Sequence, residues 1–221
     1  MAHADLYLGK EVHKHLVARG VETPMVKTTD SLAQDYFRME QIRDHFKEIF
    51  KILGLDLADD SLEKSPTRIA KMYVSEIFAG MNYDHFPECS TFDNKYKYDE
   101  MVLTKNITCT SVCEHHFATI DMKVNIAYVP NQKVLGLSKL NRIAKFFAAR
   151  PQVQERFTEQ VYYALEYILS TPNIAVLVEG KHYCVIQRGV EDVNSITTTS
   201  KLGGGFKEDP ALRAEFMALV K

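Results

Sequence analysis

The feature that most constrains the fold is a set of metal-binding side chains split between two distant segments, Cys113-Glu114-His115-His116 and His182-Tyr183-Cys184. Cys113 and His116 stand three apart, so one turn of chain can aim both at a single ion. Cys184 completes a three-ligand set only if the fold brings its segment back to that turn. Three protein ligands leave a coordination position open, as in a catalytic zinc site and unlike a closed structural one. Water at such a position ionises at a pKa of about 7. The pattern therefore points to hydrolytic chemistry in a fold where two remote segments end side by side.

Each half also has a plainer explanation. An isolated C-x-x-H pair is commonly a buried thiol near an ordinary histidine. The H-x-C pair shifts the balance, because residues 173–188 read as one buried strand: Ile174, Ala175, Val176, Leu177 and Val178 continue through Tyr183, Cys184, Val185 and Ile186. Two-residue spacing in a strand places His182 and Cys184 on one face, which would set His182 beside the metal. Cys89 and Cys109 lack a partnered spacing and read as buried or surface thiols, with Cys109 an alternative ligand.

A chain of 221 residues can bury a substantial core and fits one domain with an appended helical segment. Its 27 basic and 29 acidic residues leave a formal charge of -2, which argues against a dedicated nucleic-acid or membrane-surface protein. A phosphate site must then be local. Residues 1–19 carry charged and histidine side chains throughout, without a signal-peptide core, and no segment has the length of a membrane span. These features predict a cytoplasmic protein whose four cysteines are thiols or ligands and not disulfides.

Three regions follow from the periodicity. Residues 1–30 read as an N-terminal arm, with a short amphipathic stretch followed by loop. Residues 31–90 read as a helical segment. Its first helix runs to Leu55, and a second is opened by Ser65-Pro66, carries Arg68 in its first turn and ends at Gly80. Residues 91–221 read as the catalytic domain. Alternating apolar residues between 91 and 130 predict antiparallel strands flanking the metal loop. Helices follow over 138–150 and 151–169, with Pro151 as the break, then the strand of His182, and a last helix opened by Asp209-Pro210. The class is α+β with two-layer packing.

Candidate substrate groups lie near these landmarks. Gly136-Leu137-Ser138-Lys139-Leu140-Asn141-Arg142 sets a hydroxyl and two cations at a predicted helix start, where free N–H groups and the positive dipole end favour an anion such as polyphosphate. Arg188 could add a second guanidinium. The plainer explanation is a solvated basic helix start. Gln154 and Glu155 open the next helix; a carboxylate there can simply be good helix-terminus chemistry, or it can accept two adjacent N–H groups of guanine.

Together these segments resemble the GTP cyclohydrolase I family. The resemblance is carried by Cys113-Glu114-His115-His116-Phe117, by Gly136 through Arg142, by Arg150-Pro151-Gln152-Val153-Gln154-Glu155-Arg156, by His182-Tyr183-Cys184, and by the Thr-rich run before Leu202-Gly203-Gly204. Order and spacing agree from about Ser31 to Lys221, with the arm outside. The resemblance implies zinc-dependent opening of the GTP imidazole ring at C8, release of formate and rearrangement to 7,8-dihydroneopterin triphosphate, the entry compound of folate and pterin synthesis. It makes Cys113, His116 and Cys184 the zinc ligands, His182 the proton donor beside C8, and His115 an assistant in a later proton transfer. It assigns Arg68, Ser138, Lys139, Arg142 and Arg188 to the triphosphate and ribose, and Gln154 and Glu155 to the guanine.

It also implies the tunnelling fold (T-fold): an antiparallel sheet with helices on one face, with sheets from several subunits joining into a barrel. The implied assembly is a homodecamer of two pentameric rings with active sites at subunit boundaries. Two departures stand out. Met122 occupies a position where glycine is expected, and the run Gly203-Gly204-Gly205 is one glycine richer than expected, which would loosen that loop. Two other function classes compete: a different zinc hydrolase acting on a purine nucleotide, and a non-catalytic oligomer stabilised by metal. The zinc deaminases use H-x-E with P-C-x-x-C, and this chain has neither.

Overall fold

In the computed structural model, residues 4–26 and 32–221 are described; the remainder of the predicted arm and the predicted helix start at Ser31 lie outside them. The alternation after residue 91 becomes strands. β1 (Thr91–Asp93) pairs with β4 (Lys133–Leu135) as a small sheet of its own. The main sheet is built on the long hairpin of β2 (Val102–Cys113) and β3 (Thr119–Tyr128), whose tip is the metal loop. β6 (Ile174–His182) pairs antiparallel with β3, and β7 (Thr197–Leu202) with β6. A two-residue strand, β5 (Pro151–Gln152), joins the other side of β2 in parallel, giving the order β5-β2-β3-β6-β7.

Period-two patterning decides which face is covered. Ile120, Met122, Val124, Ile126 and Tyr128 on β3 are all buried, in one cluster with Ile143 and Phe147 of α4 (Leu137–Ala148) and Phe157 and Val161 of α5 (Gln154–Leu169). The opposite face is not bare. At one end α7 (Gly205–Glu208) and α8 (Pro210–Val220) place Phe206 and Phe216 over Ala127, Ala175 and Leu177. The expected arrangement of helices on one face alone is therefore corrected. The all-apolar run Ile174 to Val178 explains why, since a strand buried on both sides needs a cover on both sides.

The predicted strand through residues 173–188 is shorter than its composition suggests. β6 ends at His182, and residues 183–186 form a helical turn, α6 (Tyr183–Ile186). The ladder explains the stop. His182 pairs with Ile120, β3 begins at Thr119, and on the other side β7 has already ended opposite Gly180. Backbone groups beyond that point have no strand partners and turn to one another instead, as in Gln187 N–H to Tyr183 O, 2.9 Å. His182 and Cys184 therefore do not share a strand face.

The arm is also different from expectation. α1 (Leu6–Ala18), capped by Asp5 through Leu8 N at 2.9 Å, buries Val12 and Leu16 completely in the main core. Behind it the Glu22 carboxylate meets Arg150 Nη1 at 3.1 Å, His13 Nδ1 at 3.1 Å and the Tyr83 hydroxyl, and Gln160 donates to Val21 O at 3.0 Å. The start of the chain is thus a strap fastened across the helical layer.

In the helical segment, α2 (Leu32–Ile52) packs on α3 (Ser65–Met72), yet Tyr36 (64%), Phe37 (61%) and Ile52 (83%) remain exposed. α3 does not run to Gly80. It passes into a π-helical turn, Tyr73–Ile77, and then a short 3-10 turn, Ala79–Met81, where Gly80 N bonds Ala149 O at 2.8 Å. The two sequence departures have structural places. Met122 is a core residue in mid-strand, between Cys109 and Gly180, and not at a turn. The glycine run is fixed: Gly204 holds φ +48, a conformation L side chains rarely adopt, while Gly205 N donates to Asn173 Oδ1 at 2.9 Å. The predicted loosening there is corrected by this packing.

Candidate metal centre

The metal loop is a tight closure of the β2–β3 hairpin. Cys113 N donates to Ala118 O at 2.7 Å, and Phe117 N donates to Cys113 O at 2.9 Å. Phe117 takes a left-handed conformation at φ 51, uncommon for an aromatic side chain, and its ring packs edge-on against Tyr73 and Phe78. The π-helical turn thus buttresses the turn that bends Cys113 and His116 together.

The first turn of α6 supplies the third donor. Cys113, His116 and Cys184 offer ligand atoms that all lie within 4.8 Å of one another, with Cys113 buried, Cys184 half-buried and His116 exposed. Two thiols and an imidazole converging at the surface suit a borderline-soft cation such as zinc. Burial pushes the Cys184 thiol up, and the neighbouring Cys113 raises it further. A cation between the sulfurs would reverse that penalty, because only the thiolate is a good ligand. Cys109 is excluded from the group: it lies in the core, 2% exposed, and burial drives its thiol to about 12.

Around this group stand other predicted residues. His115 is exposed, with Nδ1 3.6 Å from Cys113 Sγ. Arg188 Nη1 donates to His116 Nε2 at 3.0 Å, so Arg188 sits at the metal group as well as at any substrate it holds. His182 Nε2 is 2.8 Å from Gln154 Oε1. Burial lowers the His182 imidazole, and the charge of Glu155 opposes that shift, placing the exposed Glu155 within electrostatic reach of the ring.

Gln154 departs from its predicted part. Its side-chain N–H groups face Val178 O at 3.1 Å, Thr197 O at 2.9 Å and Thr199 Oγ1 at 3.2 Å. Carbonyl oxygens only accept, so the amide orientation is fixed and Oε1 must face His182. The buried carboxamide has no free edge for a base; it orients the imidazole, with the proton on Nε2. Gly180 makes this possible, because any Cβ there would collide with Gln154 Oε1. The sequence signal was available as a glycine inside a strand, which marks a close approach.

The predicted phosphate residues split. Ser138 and Arg142 line an open cleft of about 640 Å³ with Asn141, Lys145 and Thr104 of β2. Lys139 is buried, 9% exposed. Arg68 is exposed on α3 and does not line this cleft. One contact was not anticipated. Arg156 forms a two-pronged ion pair with Glu114 at 2.6 and 3.2 Å, and no local spacing announces it because the partners are 42 positions apart.

Comparison with known proteins identifies the family. The family model described as GTP cyclohydrolase I matches residues 42–221. GTP cyclohydrolase 1 of Edwardsiella ictaluri is 52% identical over 210 residues, covering 95% of this chain and 94% of that protein. The Salmonella arizonae enzyme of the same name is 53% identical over the same shares. An aligned length of 210 residues takes in part of the strap, which the sequence resemblance had left outside. A solved archaeosine synthase QueF-Like in its apo form is 18% identical, with a TM-score of 0.40 over 49% of this chain and 98% of that one. With a family match over most of its length and relatives at this identity, the chain belongs to the GTP cyclohydrolase I family, the hydrolases that convert GTP into 7,8-dihydroneopterin triphosphate.

Proposed function

We propose that Cys113, His116 and Cys184 hold a zinc ion and that the chain opens the imidazole ring of GTP there, releasing formate on the way to dihydroneopterin triphosphate. The convergence of these three donors carries the reading, with His182 two residues before Cys184 in the chain and within electrostatic reach of Glu155. The ion, when bound, supplies Lewis acidity that makes a water nucleophilic at neutral pH. Everything else falls to the chain. Glu155 accepts the N1–H and exocyclic amine of guanine and sets the base edge. Held by Gln154 through Nε2, His182 presents Nδ1 toward the substrate and, as imidazolium, gives its proton to the purine nitrogen next to C8 as the C–N bond breaks. His115, exposed on the same loop, serves a later proton transfer near the ribose. Arg188 at the metal group, with Ser138, Lys139 and Arg142 supplied from a neighbouring subunit because their cleft lies at the Thr104 end of β2, binds the triphosphate.

The rest of the reading concerns assembly and place. Residues 91–221 form the catalytic unit, and 31–90 carry Arg68 and an apolar face on α2 that calls for a neighbour. A tunnelling-fold barrel closed across subunits, in a homodecamer of two pentameric rings, would cover that face, pair the free edge of β7 and bring Arg68 to a neighbour's triphosphate. No helix among the described residues is long and apolar enough to cross a membrane, and the four cysteines are free thiols, which suits work in the cytoplasm.

The test is incubation of the purified protein with GTP, with formate measured directly and the oxidised product read as pterin fluorescence; ATP, which lacks the 2-amino donor, should give neither. Glu155→Ala should weaken GTP binding by about 10-fold or more while keeping zinc, the scale of a lost charge-assisted hydrogen bond. Comparable turnover of ATP would place base recognition elsewhere. Formate without a pterin would favour a different purine-nucleotide hydrolase.

A further inference from the structure

We propose that Glu114 and Arg156 form a positioning pair that fixes the metal loop relative to the base-reading residue Glu155, and so sets where the reacting carbon of the purine falls beside the metal group. The inference rests on the reading above for the roles of Glu155 and the metal, and adds a function for two residues that neither ligate nor touch substrate in it.

Glu114 lies between the ligand Cys113 and His115, and Arg156 directly follows Glu155 on the first turn of α5. Arg156 Nη1 donates to Glu114 Oε2 at 2.6 Å and Nη2 to Oε1 at 3.2 Å, a fork-to-fork arrangement that fixes orientation as well as distance. Their side chains are 18% and 25% exposed, so both are largely withdrawn from solvent. The backbone repeats the same link: Glu114 N donates to Gln152 O at 3.1 Å, and Cys113 pairs with Gln152 through β5. The metal loop is therefore hung on residues 151–156 at two points. One is a rigid strand pair; the other is a planar pair one residue from Glu155.

Glu155 and the metal donors lie on different elements: Gln154 ties the first turn of α5 to His182 on the Cys184 side, while on the Cys113–His116 side the metal loop is held to residues 151–156 by the short β5 pair and this fork. A base gripped by Glu155 has its imidazole carbon several bonds away, so a small rotation of α5 against the loop becomes a displacement at the reacting atom. Misplacement by about 1 Å can cost on the order of 10²-fold in rate with little change in binding. Arginine is required by the geometry, since a lysine ammonium can neutralise Glu114 but cannot match its two oxygens in a plane.

The test uses Arg156→Lys, Glu114→Gln and the double variant in the intact oligomer, with kcat, GTP dissociation constant, zinc per chain, oligomer mass and thermal midpoint measured for each. The expected result is a kcat about 10- to 100-fold below wild type in each single variant, with zinc content, mass and GTP affinity within about threefold. The double variant should be no more than about threefold worse than the poorer single, because the two residues act as one unit. Single variants within threefold of the wild-type kcat would overturn the proposal. So would multiplicative losses, or losses that follow zinc release or dissociation, which would make the pair a scaffold for the loop. An inactive wild type would instead refute the reading of the reaction, and the variants' GTP affinity and zinc content would still report on the pair's structural share.

Discussion

Gln154 separates two kinds of residue at this site, those that touch substrate and those that aim something that does. Its carboxamide is spent on Val178, Thr197, Thr199 and His182, so Gln154→Leu should leave GTP affinity nearly unchanged while kcat drops by about 10- to 100-fold, the usual effect of losing an orienting partner. Equilibrium binding of GTP set beside steady-state turnover checks it. A dissociation constant raised as much as kcat falls would return Gln154 to the base. The nearness of Cys113 and His116 was legible in the sequence because C-x-x-H is a local spacing, whereas Cys184 joins them from a helical turn and not from the strand face that H-x-C suggested. Gln154's part was not legible, because a residue type states what a side chain can bond and not which partners the fold has already given it. Glu114 and Arg156 were illegible for the same reason.

At the scale of elements, the strap is the clearest instance of tertiary structure overriding a local reading. Residues 1–30 look like an arm in isolation, since one short amphipathic helix followed by loop has little to bury against itself. What fastens α1 is remote: Arg150, wholly buried, and the Glu22 carboxylate beneath it. Burial works against ionisation of Glu22, but His13, the Arg150 charge and the Tyr83 hydroxyl outweigh it and hold its pKa below the ordinary 4.5. Glu22→Gln leaves Arg150 buried without its counter-charge, a loss of about 3–5 kcal/mol, or a thermal midpoint lower by on the order of 10 °C. Because the folded-state pKa is depressed, this contribution is complete above about pH 4.5 and disappears as pH falls through the folded value. Thermal melts of wild type and Glu22→Gln should therefore differ widely at pH 7 and converge in acid; equal midpoints at pH 7 would show the strap to be ornamental. By contrast, the β2–β3 hairpin and helices α4, α5 and α8 were readable from period and caps alone. β6 was overextended because its apolar run continues past His182, where the partner strands that would have continued the ladder end.

For the whole molecule the informative features are those a single chain leaves unfinished. α2 keeps Phe37 and Ile52 in solvent, β7 ends its sheet with one edge unpaired among the described residues, and Arg68 is exposed on α3 without lining the cleft of Ser138 and Arg142. If neighbouring subunits complete each site, pure Arg68→Ala and pure His116→Ala assemblies should each be nearly inactive. Mixed assemblies should regain a fraction of wild-type turnover wherever an intact metal group meets an intact Arg68. Co-expression with mass-verified hybrids tests this, and verified hybrids with no recovery would put both residues in one subunit's site. The expectations for turnover depend on the metal group. The most direct measurement is zinc per chain and GTP turnover on the same preparations of wild type and Cys184→Ser. The wild type should carry one zinc per chain and convert GTP, while Cys184→Ser should lose the metal and ring opening together, because two remaining donors cannot hold the ion in the geometry that activates water. Full turnover by strictly metal-free wild type, or a Cys184→Ser protein that keeps both its zinc and its activity, would contradict the assignment.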